Sequence, residues 1–117
     1  MSAYSKAFRR RGETETEYLK KSWFIYESLY TELQRLSNEK YEATINDLVI
    51  VAIDNLVETE EIKAFPTTNA WKVKRSFLIS SDLFKKLDAL KAKYNISYTK
   101  LINIAINNAI EADKLTD

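Results

Sequence analysis

The feature that most constrains the fold of this chain is an internal repeat, in which the residue pattern of positions 22–58 returns at positions 76–111. At an offset of 54 residues the identical pairs are Ser22/Ser76, Ile25/Ile79, Leu29/Leu83, Leu33/Leu87 and Leu36/Leu90. One residue is then lost, and at an offset of 53 the identical pairs are Tyr41/Tyr94, Leu48/Leu101, Ala52/Ala105, Ile53/Ile106, Asn55/Asn108 and Glu58/Glu111. Because the matches keep their order across a single gap, we interpret the chain as two copies of one unit.

Each copy has the apolar spacing of a strand followed by two helices. The first helix, about 28–41 in one copy and 82–94 in the other, places three leucines at i, i+4 and i+7, which is typical of an amphipathic helix. The second helix of the second copy contains LINIAINNAI at 101–110 and leaves only one narrow polar stripe. The stripe consists of Lys100, Asn103, Asn107 and Glu111. Such a helix requires cover on more than one side, and the other copy can supply it.

The repeat divides the chain into four parts. Residues 1–18 form an arm that begins basic and then turns acidic, 19–60 and 72–117 are the two units, and 61–71 are a linker that contains the one proline. Because a two-stranded sheet is marginal without packing beneath it, residues 20–26 are predicted to pair antiparallel with 73–79 over four helices. The predicted fold class is mainly α with a two-stranded antiparallel ribbon, in which two fused units form an intramolecular pseudo-dimer.

The predicted ribbon has an inward and an outward face, because alternate side chains of a strand point to opposite sides. The inward side chains are Trp23, Ile25, Val73, Phe77 and Ile79. The outward side chains are Lys20, Ser22 and Phe24 on one strand and Lys74, Ser76 and Leu78 on the other. Both strands thus present a lysine, a serine and a large apolar residue in the same order, which indicates a recognition surface.

The composition argues against an enzyme. The chain has no Cys and no His, which removes thiolate nucleophiles, the commonest metal ligand and the side chain best suited to proton transfer near neutral pH. Its single Gly excludes a glycine-rich phosphate loop. We therefore expect no catalytic residue, metal, cofactor or small-molecule substrate. No apolar run approaches the length of a membrane span and no signal-peptide pattern is present, so we expect a cytoplasmic protein without membrane contact.

The net charge of +1 hides an uneven distribution of charge along the chain. Residues 1–26 hold six basic and three acidic side chains, residues 27–61 hold two basic and nine acidic ones, and residues 62–117 hold ten basic and five acidic ones. The acidic middle segment and the basic last segment indicate that the two units meet their surroundings with opposite charge.

The order of strand, helix and helix in both copies, over about residues 19–112, resembles the ribbon-helix-helix transcription regulators, also called MetJ/Arc-like. In that family each of two subunits donates one strand to a ribbon that enters the DNA major groove, and this chain resembles a fused version. Similar fused regulators occur in archaeal viruses, with which the Ile-, Asn-, Lys- and Tyr-rich composition is compatible, and the location would then be the host cytoplasm. The resemblance implies a sequence-specific regulator that binds double-stranded DNA.

The resemblance places base reading on the six outward residues of the ribbon. Lys20 and Lys74 can donate to guanine, and Ser22 and Ser76 can donate or accept. Phe24 and Leu78 stand where the family mostly has polar residues. These two side chains either pack on thymine methyl groups, fold onto the ribbon or meet another chain.

The resemblance also implies a phosphate site at the start of the second helix of each unit, where free amides and the helix dipole favour an anion. The residues concerned are Thr44, Asn46, Ser97, Thr99 and Lys100. Thr44 and Ser97 are the expected N-caps. The family often has Gly in the preceding turn, and Asn95 suits a left-handed conformation there. Since Asp47 stands where the other copy has Lys100, phosphate should prefer the Lys100 end.

Three further expectations concern partners. Arg9, Arg10 and Arg11 of the arm are either contacts to phosphate or the minor groove, or part of a solvated terminus. One ribbon covers few base pairs, so we expect a homo-oligomer on DNA, with Ile50 as a candidate contact or as a residue packed under the linker. The alternative function is a helical protein–protein interaction module, antitoxin-like or host-factor-binding, because the nine carboxylates of residues 27–61 would repel DNA.

Overall fold

A computed structural model describes residues 17–63 and 71–115 of the chain. The elements are β1 (Tyr18–Tyr26), α1 (Glu27–Arg35), a π-helical turn (Leu36–Lys40), α2 (Ile45–Thr59), β2 (Lys72–Ser80), α3 (Ser81–Tyr94) and α4 (Tyr98–Leu115). This part of the chain is mostly helical with one two-stranded antiparallel sheet, which confirms the predicted fold class at that level. We call β1, α1 and α2 the first half and β2, α3 and α4 the second half.

The two strands form a ribbon centred on two serines. Tyr18 pairs with Ser80 and Tyr26 with Lys72, so that Ser22 lies opposite Ser76 in the middle. The two strands contain the predicted ranges 20–26 and 73–79 and pair antiparallel as predicted, with residues 20–26 opposite 72–78. The predicted inward side chains Trp23, Ile25, Phe77 and Ile79 are buried, and Val73 is half-buried. The period-two pattern of the strands therefore set the correct face toward the core.

The core lies between the inward face of the ribbon and the four helices. Each first helix contributes the three predicted leucines, Leu29, Leu33 and Leu36 in one half and Leu83, Leu87 and Leu90 in the other. Residues 101–106 of α4 are all buried. Ala52 of α2 and Ala105 of α4, which are matched in the repeat, are each about 1% exposed, and these small side chains allow the two helices to approach closely. The expectation that α4 needs cover on several sides is confirmed.

The π-helical turn Leu36–Lys40 coincides with the single gap in the repeat. Between Leu36 and Tyr41 the first half has one residue more than the second half has between Leu90 and Tyr94. The second half continues as a regular α-helix through this stretch, whereas the first half widens into a π turn. A π turn accommodates one inserted residue in a helix, so the flanking matched residues keep their places.

The halves are joined by two clamps at matching positions of the repeat. Lys93 and Tyr94 at the end of α3 contact Glu60, with the Glu60 Oε1 atom 2.8 Å from Lys93 Nζ and 2.7 Å from the Tyr94 hydroxyl. Lys40 lies 3.0 Å from Asp113, whose carboxylate also accepts a hydrogen bond from Tyr41. Each clamp therefore links the first helix of one half to the end of the second helix of the other half.

Glu60 has a left-handed backbone, with φ of 55°, at the end of α2. Its pKa is lowered chiefly by the hydrogen bond from Lys93 and then by that from Tyr94. The pKa of Asp113 is lowered chiefly by Tyr41 and then by Lys40. Both clamps are therefore built around ionised carboxylates at neutral pH.

The outer edges of the ribbon are covered by asparagines from the second helices. Asn103 of α4 accepts from the Tyr26 N–H at 3.0 Å and donates to the Phe24 carbonyl at 3.0 Å. Asn46 of α2 accepts from the Leu78 N–H at 2.9 Å and donates to the Leu78 carbonyl at 3.2 Å. The second helix of each half thus holds the strand of the other half and satisfies main-chain groups that an edge strand would expose.

The position of Asn103 corrects one expectation. It was expected on the polar stripe of α4, but it is 1% exposed and is the buried polar residue of the core. Its place in the first half is taken by Ile50, while the edge contact there is made one turn earlier by Asn46. An asparagine in a helix pattern resembles a surface residue, and only the neighbouring strand edge explains its burial.

Candidate functional site

The outward face of the ribbon is a grid of three cross-strand rows. The rows are Lys20 opposite Leu78, Ser22 opposite Ser76, and Phe24 opposite Lys74. All six side chains are exposed, as expected from the alternation of the strands. The hydroxyls of the two serines lie 2.7 Å apart, so they share one hydrogen bond at the centre of the grid. The two lysines lie diagonally about this centre, and so do the two apolar side chains.

The ribbon is strongly basic. Its two strands carry five cations and no carboxylate, and these are Lys20, Lys21, Lys72, Lys74 and Arg75. Ion pairs between described residues form at Arg35–Glu32, Lys40–Asp113 and Lys93–Glu60, and none of these involves a ribbon cation. The ribbon thus offers positive charge to a ligand without first breaking an ion pair to a described carboxylate.

Lys21 and Arg75, which the sequence analysis did not select, flank the ribbon on aromatic rings. The Lys21 ammonium lies 4.4 Å from the centroid of the Phe84 ring, and the Arg75 guanidinium lies 4.9 Å from that of Tyr30. The two contacts occupy matching positions of the repeat, and each joins a strand to the first helix of the other half. These cation–π contacts hold the two positive charges beside the ribbon. They do not belong to the outward set of alternate side chains from which the candidates were chosen, and only the contacts with Phe84 and Tyr30 identify them.

The second helices begin on opposite sides of the ribbon. At α2 the Thr44 hydroxyl accepts from the Asp47 N–H at 3.0 Å, and at α4 the Ser97 hydroxyl accepts from the Lys100 N–H at 3.2 Å. Both predicted N-caps are confirmed. Asn95 has the expected left-handed backbone, with φ of 54°, where α3 ends.

The remaining residues chosen for phosphate binding differ in their surroundings. Both polar atoms of the Asn46 amide form hydrogen bonds with the Leu78 main chain, so its role in this structure is to hold the ribbon. Thr99 is half-buried in a hollow with Phe24, Trp71 and Lys72. Lys100 is exposed at the same helix start. The functional candidates at this end are therefore the exposed cations rather than the asparagine.

The two ends of the grid differ in charge. The Phe24 end combines Lys74, Lys72 and Trp71 with the start of α4, which carries Lys100. The Leu78 end combines Lys20 and Tyr18 with the start of α2, which carries Asp47. The outward face of the ribbon thus has the same kinds of side chain at both ends but carries more positive charge at the Phe24 end.

Ile50, the candidate for a contact between chains, is not fully exposed. It is half-buried, packs against the core and lines a hollow with Leu78 and Tyr18. The exposed apolar residue on this side of α2 is Val51, at 56%, whereas its match Ile104 in α4 is 6% exposed. Arg9, Arg10 and Arg11 lie outside the described residues.

The described part of the chain offers neither a metal site nor a membrane-spanning helix. Within residues 17–63 and 71–115 there is no group of three or more carboxylates placed to hold a metal ion. None of the helices described combines the length and the apolar character needed to cross a bilayer. Comparison of the whole chain with models of protein families, with characterised proteins and with solved structures gave no match.

Proposed function

We propose that this chain is a sequence-specific regulator of transcription that binds double-stranded DNA and acts as two fused ribbon-helix-helix units. The observation that carries the proposal is the exposed grid of lysine, serine and apolar side chains, repeated on two antiparallel strands about a central serine pair. The protein would act by binding alone, without a cofactor or a catalytic residue.

The dimensions of the ribbon suit the major groove of DNA. The groove is about 12 Å wide and admits a two-stranded β-ribbon, and its base edges distinguish all four base pairs. Lys20 and Lys74 would donate to guanine O6 or N7, and the serine pair would contact the central step through either a donor or an acceptor. Because the lysines lie diagonally, each would reach a base on a different DNA strand.

Phosphate contacts would come from the sides of the ribbon. The starts of α2 and α4 lie beside opposite strands, as the contacts of Asn46 and Asn103 show, and a helix start favours an anion. Lys21 and Arg75 add charge at the flanks. With Lys100 at one helix start and Asp47 at the other, the half-site next to Phe24 would be held more tightly.

Association of several chains along DNA is part of the proposal, because one ribbon reads few base pairs and competes poorly with non-specific sites. The candidate contact is the face of α2 that carries Ile50 and Val51, bordered by the exposed carboxylates of Asp47 and Asp54. The basic outer face of α3, with Lys85 and Lys86 exposed, complements it in charge. A contact between these unlike surfaces would repeat from chain to chain without closing.

The test begins with selection of a preferred duplex from a random pool, followed by titration of wild type and variants at several salt concentrations. Lys20→Ala and Lys74→Ala should each cost about 1–3 kcal/mol on the selected duplex. Lys114→Ala is the matched control, since this exposed lysine lies eleven positions after Asn103 in α4, or about 17 Å along the helix. Its removal should leave sequence discrimination unchanged.

Two results decide between this function and its alternative. If Lys20→Ala and Lys74→Ala both bind the selected duplex as tightly as wild type, the ribbon does not read the bases. Failure to bind any duplex at low salt would favour the protein–protein interaction module, whose acidic surface is α2 with Asp47, Asp54 and Glu58.

A further inference from the structure

We propose that Phe24 and Leu78 recognise the 5-methyl groups of two thymines on opposite DNA strands, roughly three or four base pairs apart. This inference rests on the proposed function and specifies the base sequence that the same surface selects. It concerns the two residues of the grid that have no hydrogen-bonding group.

The first observation is the exposure of these side chains. Phe24 is 48% exposed and Leu78 is 54% exposed, although both lie among polar residues on the outward face. Their main chains are fixed by hydrogen bonds from the second helices. Asn103 donates to the Phe24 carbonyl, and Asn46 bonds to both the N–H and the carbonyl of Leu78. The strand backbone therefore cannot rotate these side chains inward without breaking the contacts to α4 and α2.

The second observation is chemical. Among the groups that the four bases present in the major groove, the thymine methyl is the apolar one, and the others are hydrogen-bond donors and acceptors. An apolar side chain placed against a donor or acceptor would remove its water without replacing the lost hydrogen bond, which is unfavourable. A thymine methyl is therefore the base feature that a phenyl ring or an isobutyl group can contact with a gain in binding.

The register gives the spacing. Leu78 lies opposite Lys20, so Phe24 and Leu78 are separated along the ribbon by the four residues from 20 to 24. At about 3.3 Å per residue this is roughly 13 Å. With about 3.4 Å per base pair, and with the ribbon inclined along the groove, the two methyl groups lie roughly three or four base pairs apart.

The approximate two-fold assigns the DNA strands. Phe24 and Leu78 exchange places on rotation about the Ser22–Ser76 pair, as Lys20 and Lys74 do. Rotation about a DNA dyad exchanges the two strands, so the two thymines belong to opposite strands. The predicted core of the binding site is therefore a short, imperfect palindrome with a thymine in each half.

The experiment uses the duplex selected from the random pool and replaces single thymines by deoxyuridine, which removes only the methyl group. Replacement of either of the two thymines should lower the affinity of the protein for the duplex about four-fold, which is the effect of burying roughly one methylene-sized group. Deoxyuridine outside the core is the control and should change nothing. Phe24→Ala should abolish the sensitivity at one thymine, and Leu78→Ala should abolish it at the other.

Because both residues are exposed, these variants are expected to fold, and a thermal melt checks this. If wild type binds the uridine duplexes as tightly as the thymine duplex while Lys20→Ala and Lys74→Ala still weaken binding, the methyl inference is wrong and the proposed function stands. Absence of binding to every duplex would overturn the proposed function and this inference with it.

Discussion

Replacement of Asn103 by leucine should lower the free energy of unfolding, because it removes the network of hydrogen bonds that this buried side chain forms. Asn103 is 1% exposed and lies in α4 beside the outer edge of β1. Its amide oxygen accepts from the Tyr26 N–H, and its amide nitrogen donates to the carbonyls of Phe24 and Thr99. Leucine has a similar size and fills the site, so the main effect is the loss of these hydrogen bonds.

The expected cost follows from which groups lose their partner. The Tyr26 N–H is in a buried hydrogen bond, and a buried donor without a partner costs about 1–3 kcal/mol. The Phe24 carbonyl is only partly buried, so water can replace part of its bond, and about 0.5–1.5 kcal/mol is lost there. The Thr99 carbonyl lies in the first turn of α4, where a helix supplies its own main-chain donor. The total is about 1.5–4.5 kcal/mol, a large part of the stability of a typical domain.

The assay is urea unfolding followed by circular dichroism, supported by a thermal melt, in which this loss corresponds to a fall in Tm on the order of 10 °C. Asn46→Leu is the matched control, because it removes an analogous pair of bonds to the Leu78 main chain, and these bonds are exposed to solvent. Water can reach those groups, so its cost should stay below about 1 kcal/mol.

A free energy of unfolding for Asn103→Leu within about 0.5 kcal/mol of the wild-type value would contradict this prediction, because the edge of β1 would then not depend on this amide. Equal losses of stability in the two variants would also contradict it, since burial would not be the factor that separates them.

Three further predictions use other contacts. In DNase footprinting, the half-site at the Lys100 end should be the better protected. Lys100→Ala should weaken DNA binding, whereas Asp47→Ala should tighten it. Equal losses of affinity in the two variants would refute the predicted difference between the two ends of the ribbon. Because the pKa values of Glu60 and Asp113 are lowered in the folded chain, their clamps stabilise it above the ordinary carboxyl pKa of about 4, and this contribution is lost as the pH falls below that value. Thermal melts from pH 6 to pH 3 should therefore show a steeper fall for wild type than for Glu60→Gln, and parallel curves would contradict the clamp. Sedimentation on a long duplex should show cooperative binding of several chains that Val51→Asp disrupts, whereas strictly one chain per duplex would rule this association out.

The helices and strands, and the side of each one that faces the core, could be predicted from the sequence. The repeat showed that strand, helix and helix occur twice. The alternation of side chains along each strand predicted the inward face of the ribbon, to which Trp23 and Phe77 belong. Thr44 and Ser97 identified where the second helices begin. These features are local, because the spacing of apolar residues and helix capping depend on residues a few positions apart. They can therefore be recognised in a single sequence.

The roles of the polar residues could not be predicted in the same way, because they depend on contacts between elements far apart in sequence. The pattern of α4 assigned Asn103 to a solvated stripe, yet the residue is buried, because the strand edge that it meets belongs to the other half of the chain. The same is true of the clamps on Glu60 and Asp113, whose partners come from distant positions. The gap in the repeat located one extra residue, but the pattern did not predict that the helix accommodates it as a π turn at Leu36–Lys40. A polar side chain is buried or exposed according to which main-chain group it satisfies, and that partner is chosen by the packing of elements far apart in sequence.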